Sequence, residues 1–303
     1  MARTTAHFVA LTGALLLFAA GAQAADSQKS FASPEEATKA LAAAVKSGEV
    51  KAMLTVLGAG GKAIVSSGDK VADRAGYERF AKAYDEANKV EMSGDAKAVL
   101  AVGKDAWPFP IPLVKDSAGW HFDTGAGKEE ILNRRIGRNE LSTMQAALAY
   151  ADAQREYYLA NPQKDKLLQY AQKFVSTQGK RDGLYYPTKA GEPASPLGPL
   201  FESAKTQGYT AGGGYHGYKY KILKAQGPDA KGGAYDYVAQ GRMIGGYALI
   251  AWPATYGNSG VMTFLINQDG VLYEKDLGPG TAGTAAKITK FNPDKSWKPA
   301  DKK

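Results

Sequence analysis

The stretch Val261-Met-Thr-Phe-Leu-Ile-Asn267-Gln-Asp269-Gly270-Val271-Leu-Tyr-Glu-Lys275 decides the architecture. Two apolar runs rich in β-branched and aromatic residues flank Asn267 to Gly270, a polar tetrad whose glycine can take positive φ, and this pattern predicts an antiparallel hairpin. The same texture extends upstream. Tyr218, Tyr220 and Ile222 alternate with Lys219 and Lys221, as a half-exposed strand requires, and 235–238 and 243–252 supply further strands punctuated by glycine. A larger antiparallel sheet therefore closes the chain.

Before the sheet the period changes. Leu141, Met144, Leu148, Ala151 and Tyr158 recur at three- and four-residue steps up to Asn161-Pro162, predicting a helix of about five turns. Leu167, Tyr170, Ala171 and Phe174 predict a shorter helix ending before Gly179. The window Asn133-Arg134-Arg135-Ile136-Gly137-Arg138-Asn139-Glu140 is the most charged short segment and reads as the join between two halves.

The first half is marked by Trp107-Pro-Phe109-Pro-Ile111-Pro-Leu113, in which large apolar residues alternate with prolines. In one extended strand Trp107, Phe109, Ile111 and Leu113 share a face, while the prolines leave the opposite edge without donors, so an outer strand or proline-rich arm is expected. It turns at Asp116 to Gly119 into a partner strand at Trp120 and Phe122. Further upstream, Ser33-Pro34-Glu35-Glu36 is a capping box with proline at the first helical position. Leu41 and Val45 give that helix its buried stripe. Val50, Met53, Leu54 and Leu57 begin a second helix closed by Gly58, and Tyr77, Phe80, Ala81 and Tyr84 mark a third. The fold class is α+β: an N-terminal helical layer with a small antiparallel sheet over 25–137, then helices followed by a larger antiparallel β-sheet over 138–303.

Residues 1–24 read as a secretory leader, with Arg3 before an uncharged run from Phe8 to Ala20 and small residues at Ala22 and Ala24. That run is shorter than the roughly 20 apolar residues that span a membrane, and no later stretch is apolar enough to do so. A periplasmic or secreted protein is expected. The chain has no cysteine, so neither disulfides nor a lipidated thiol can serve it. Its net charge of +8 favours anionic envelope polymers or phospholipid head groups over anionic small substrates alone, yet the lysines are scattered among acids and also suit a solubilising surface. Export sets nucleic acid aside as a partner.

No catalytic constellation stands out. Beyond the leader only His121 and His216 remain, without metal-ligand spacing, so no metal and no cofactor is implied. His216, after three glycines, can act as a loop-borne general base. Ser67-Gly-Asp69-Lys70 spells Ser-x-x-Lys, but Gly68 sits where that motif needs a helix. Asp123, Glu129, Glu130 and Glu140 are candidates for a carboxylate pair, and Arg134, Arg135 and Arg138 for a carboxylate or phosphate clamp. Of 17 tyrosines only Tyr77, Tyr84 and Tyr150 precede residue 151. Tyr185, Tyr186, Tyr215, Tyr218 and Tyr256, with Asn258 beside the last, can stack on sugars or line a partner surface, or simply pack a sheet.

The strings Trp107-Pro-Phe-Pro-Ile-Pro112, 127–140, Gly183-Leu-Tyr-Tyr-Pro187, Met243-Ile-Gly-Gly246 and Trp252-Pro-Ala-Thr-Tyr-Gly-Asn-Ser-Gly260 occur in one order along the chain. In them the sequence resembles the exported bacterial domain-of-unknown-function family 2950 (DUF2950). The resemblance implies an exported protein and brings no catalytic residues with it. Two functional readings follow from the residues: a non-enzymatic binding or assembly module for an envelope glycan or another exported protein, and a periplasmic hydrolase using His216 or a carboxylate pair.

Overall fold

The computed structural model describes residues 28–210 and 214–300; the leader expected over 1–24 lies outside the described residues. Helix α1 (Pro34–Ser47) starts where the capping box places it. Ser33 Oγ accepts from the Glu36 N–H at 3.2 Å, while the Glu36 carboxylate accepts from the Ala32 N–H, one residue ahead of the ideal reciprocal position. Helices α2 (Val50–Leu57), α3 (Lys62–Val65) and α4 (Lys70–Glu86) follow. They pack on a small antiparallel sheet of β1 (Asn88–Met92), β2 (Lys97–Val102), β3 (Trp107–Pro108), β4 (Leu113–Asp116) and β5 (Gly119–Phe122), with order β1-β2-β4-β5 and β3 paired to β2. Leu41, Met53, Leu57, Val65, Ile111, Leu113 and Phe122 form the core between the layers.

Of the outer strand or proline-rich arm expected from the proline-spaced segment, the structure does not show one continuous strand. Trp107 and Pro108 pair with Val102 and Ala101, Phe109 donates to the Leu100 carbonyl at 2.7 Å, and the chain then turns through Pro110 and Pro112 into β4. Ile111 and Leu113 are fully buried while Trp107 stays 42% exposed. Prolines without N–H groups cannot sustain a ladder, so the segment breaks into two short pieces instead of sharing a face. The turn fits closely under the next helix: a Cβ on Gly127 would lie 2.5 Å from the Pro110 carbonyl oxygen.

That helix, α5 (Thr124–Ala160), is capped by the Asp123 carboxylate on the Ala126 N–H and runs for 37 residues, about 55 Å. It passes without a break through the window 133–140, so the helix expected from Leu141 begins seventeen residues earlier. Its second half buries Ala147, Tyr150, Ala151, Gln154 and Tyr157 against the larger sheet. The helix expected over Leu167–Phe174 is absent. Pro162 and two left-handed residues, Asn161 and Lys164, end the helical run, and the chain is held extended by its neighbours. Tyr170 bridges to Met243, Val175 bridges to Tyr185, and the buried Gln154 amide bonds both the N–H and the carbonyl of Ala171 at 2.8 Å.

Helix α6 (Gly198–Thr206) then precedes β6 (Tyr218–Leu223). The short pieces β7 (Ala225–Gln226), β8 (Tyr235–Asp236), β9 (Val238–Ala239) and β10 (Arg242–Met243) make two ribbons, and β11 (Ala248–Pro253), β12 (Met262–Asn267) and β13 (Tyr273–Asp276) continue the main sheet. After α7 (Thr281–Lys287), β14 (Lys298–Pro299) completes the antiparallel order β14-β13-β12-β11-β6. The predicted hairpin is present, with Leu265 opposite Tyr273 and Gly270 at φ +74°. Central strand β11 is buried along its whole length.

Candidate functional site

Two features converge where α5, α6 and the residues before β6 meet: a carboxylate clasp and an apolar cavity. The clasp is Asp69. One of its oxygens caps α4, accepting from the Val71 and Ala72 N–H groups at 3.1 and 3.0 Å. The other reaches the second half of the chain, accepting from the Tyr209 hydroxyl and the Gly217 N–H, both at 2.8 Å. The Asp69 side chain is buried, and all its bonds are to donors, as a buried carboxylate needs. Burial, and then Asp69 itself, raise the Tyr209 phenol well above its ordinary value.

His216 sits on this clasp in the left-handed region, at φ +51°, its ring 4.0 Å from that of Tyr215 and 5.9 Å from that of Tyr209. Burial lowers its pKa below the ordinary value, against the pull of Asp69. The half-buried imidazole therefore favours its neutral form. Among the described residues no carboxylate hydrogen-bonds the ring; the nearest acid is spent on Tyr209 and Gly217.

Behind Tyr209 and Tyr215 lies a half-open cavity of about 510 Å³. Tyr150, Phe174, Leu197, Leu200, Phe201 and Leu249 form its body, with Ala146 and Ala204 as small residues facing the same space. Lys205, Tyr209, Thr210 and Tyr215 bring polar groups to its lining. Tyr185 stacks on Phe201 at 4.8 Å, within 10° of parallel, and donates to Glu202 at 3.0 Å, which fixes one wall.

The other residues singled out by the sequence are dispersed. Tyr218, expected at a partner surface, is fully buried and donates to the Met262 carbonyl at 3.0 Å; it packs the sheet, because its position in β6 points into the core. Tyr186 is likewise buried. Tyr256 donates to Asp276 at 3.1 Å. Arg135 donates to the Ala63 carbonyl and the Asn258 side-chain carbonyl, each at 2.6 Å, and to the Ile64 carbonyl. Asn258 in turn donates to the Ser66 carbonyl at 3.0 Å. Arg135 and Asn258 thus tie the two halves together and hold no free fork for a ligand. Arg134 pairs with Glu130 at 2.6 Å, while Arg138 has no ion pair among the described residues.

The carboxylates are occupied separately as well. Asp123 caps α5, Glu130 holds Arg134, and Glu140 accepts from the Val261 and Met262 N–H groups at 2.9 Å. Among the described residues no group of three or more His, Asp or Glu side chains is placed to hold a metal ion, and no helix is long and apolar enough to cross a membrane.

Sequence reasoning did not place Asp69, Tyr209, Phe174, Leu200 or Phe201 at a site, although Phe174 stood in an expected helical stripe and Asp69 in the Ser-x-x-Lys spelling. For Asp69 a signal existed: an aspartate just before a helically spaced run is an N-cap. The cavity residues carry no motif, since they converge from five separate stretches of the chain.

The model of a family described as protein of unknown function (DUF2950) matches residues 28–300. No curated protein and no solved structure matches the chain.

Proposed function

The chain belongs to that family, DUF2950, over nearly its whole length, and we propose that it is an exported binding protein whose cavity beside Tyr209 and Tyr215 takes the apolar body of a small amphipathic molecule. One observation carries this reading. A concave space of about 510 Å³, with an apolar body and a few polar side chains, has the size and lining of a ligand pocket. The sequence leaves it open with alanines at 146 and 204, where larger side chains would fill it. Aromatic walls supply area for an apolar body, and the Lys205 ammonium and the Thr210 hydroxyl supply bonds for a polar end. Placement outside the cytosol rests on the leader read from residues 1–24.

The test is titration with 1-anilinonaphthalene-8-sulfonate, an apolar ring system with one anionic group, followed by displacement with lauric acid. We expect one saturable site, competition by lauric acid, and binding weakened about tenfold or more in Ala204→Trp, with the melting temperature retained. Absence of saturable binding by the native protein, or equal binding by a folded Ala204→Trp variant, overturns the reading.

A further inference from the structure

A second concavity, about 920 Å³, runs along α4 and α5 and is lined by four arginines, Arg79, Arg134, Arg135 and Arg138, of which Arg135 is spent on the carbonyls of Ala63, Ile64 and Asn258. Arg134 and Arg138 are one turn apart on α5, and Arg79 faces them from α4. Arg134 shares its charge with Glu130 and lies 5.6 Å from the centre of the Trp107 ring at one end of the groove. Arg79 and Arg138 have no ion pair among the described residues. Desolvation against the groove wall, and then the like charge of Arg79, hold Arg138 below the ordinary arginine range. The acids in the same groove are committed elsewhere: Glu78 pairs with Arg74 at 3.1 Å, and Asp73 accepts from the Ser67 N–H at 3.0 Å beside Arg135.

Arg79 and Arg138 are exposed like charges on facing helices; solvent screens their repulsion, and an anion held between them would remove it. The guanidinium fork matches a carboxylate or phosphate through paired N–H groups. The groove continues past the arginines to Gln207 and His216, and at its other end Trp107 leaves 42% of its surface in solvent. An oxyanion alone would use only the middle of this space. A ring bearing hydroxyls and an acid would use the donors, the indole and the arginines together.

We propose that this groove is a second binding site, separate from the apolar cavity, for a saccharide that carries a phosphate or carboxylate group, with Arg79 and Arg138 gripping the oxyanion. The sugar lies along the groove between Trp107 and Gln207. The proposal does not depend on the apolar cavity being occupied.

Calorimetric titration of the full chain with glucose 6-phosphate, glucuronate and neutral glucose tests it, and the two acidic sugars separate the phosphate source from the carboxylate source. We expect at least one acidic sugar to bind and glucose not to bind, with binding weakened by added salt. The double variant Arg79→Gln/Arg138→Gln should lose about tenfold or more in affinity, and Arg79→Lys/Arg138→Lys should fall between it and the native protein. Without ligand, the glutamine variant should melt no lower than the native protein, since it relieves a repulsion. Failure of both acidic sugars to bind, equal binding by the glutamine variant, or attachment to phosphatidylglycerol vesicles in place of the sugars overturns the proposal.

Discussion

At the residue scale, Asp69 does the work of two residues. It caps α4 with one oxygen and holds the segment before β6 with the other. Asp69→Asn separates the two roles. The remaining carbonyl oxygen can still serve the cap, but the amide presents a donor to Tyr209 and Gly217, which are donors themselves. Leaving two buried donors unsatisfied costs about 2–4 kcal/mol, measurable as a shift in the urea midpoint with an unchanged slope. Tyr209→Phe removes only one of these donors and should cost about 1 kcal/mol. Because the two act through one carboxylate, the double variant should be less destabilised than the sum of the singles; simple additivity would place Tyr209 and Asp69 in independent roles. The local half of this arrangement was legible: Ser67-Gly-Asp69-Lys70 before a helically spaced run is a cap signal. The other half was not, since Tyr209 and Gly217 lie 140 and 148 residues further along the chain, and no spacing rule connects a helix cap to so distant a phenol.

At the scale of elements, the instructive segment is the one between α5 and α6. Leu167, Tyr170, Ala171 and Phe174 have helical spacing, yet no helix forms, because the same side chains and backbone groups find partners on other elements. Tyr170 stacks on Tyr158 and meets Tyr247 edge-on, while its N–H pairs with the Met243 carbonyl. Spacing shows that a run can bury one side; which element takes that side is decided by tertiary contacts. The following loop, a wall of the cavity, is fastened by Asp182, which accepts from the Lys173 ammonium, the Thr177 N–H and the Thr177 hydroxyl at 2.7, 2.7 and 2.9 Å. Desolvation opposes ionisation of this carboxyl, but those bonds outweigh it and hold the pKa at about 2, below the ordinary 3.8. The unfolded chain therefore takes up the proton first on acidification. The stabilisation, about 1 kcal/mol after solvent screening, is complete above the ordinary value and is lost as pH falls from about 4 towards 2. Hydrogen exchange at the Ser176 and Tyr185 amides, which bond across this loop to Tyr185 and Phe174 carbonyls, should quicken over that range beyond the intrinsic rate change. In Asp182→Asn the protection should be low already at the upper end and show no such step. A variant that keeps the native pH dependence would move the titration to another group.

At the scale of the whole molecule, the chain has separate apolar cores in its first and second halves, and α5 runs through both. The cores themselves were legible, because capping boxes, helical stripes and a glycine-turned hairpin are local patterns. The window 133–140 was read as a charged join; it lies inside a continuous helix whose polar side chains reach outward to both sides. Asn139 donates to the Ser259 carbonyl at 2.9 Å, Glu140 takes two N–H groups of the segment leading into β12, and Arg135 bonds the carbonyls of Ala63 and Ile64 on one side and Asn258 on the other. Hydrophobic clusters that do not merge communicate chiefly through such ties, so the cooperativity of unfolding depends on them. Arg135→Met keeps helix propensity and much of the side-chain volume but abandons three acceptors in a half-buried place, at a cost of roughly 3 kcal/mol. The loss falls on the contact between halves and leaves each core intact. Calorimetry should therefore show more than a lower melting temperature: the native protein should unfold in one transition whose calorimetric and van't Hoff enthalpies agree, and Arg135→Met should broaden or split it, with the van't Hoff value falling below the calorimetric one. A variant that melts lower but still in a single two-state step would mean that the apolar contacts of α5, and not its guanidinium, bind the two halves into one cooperative unit.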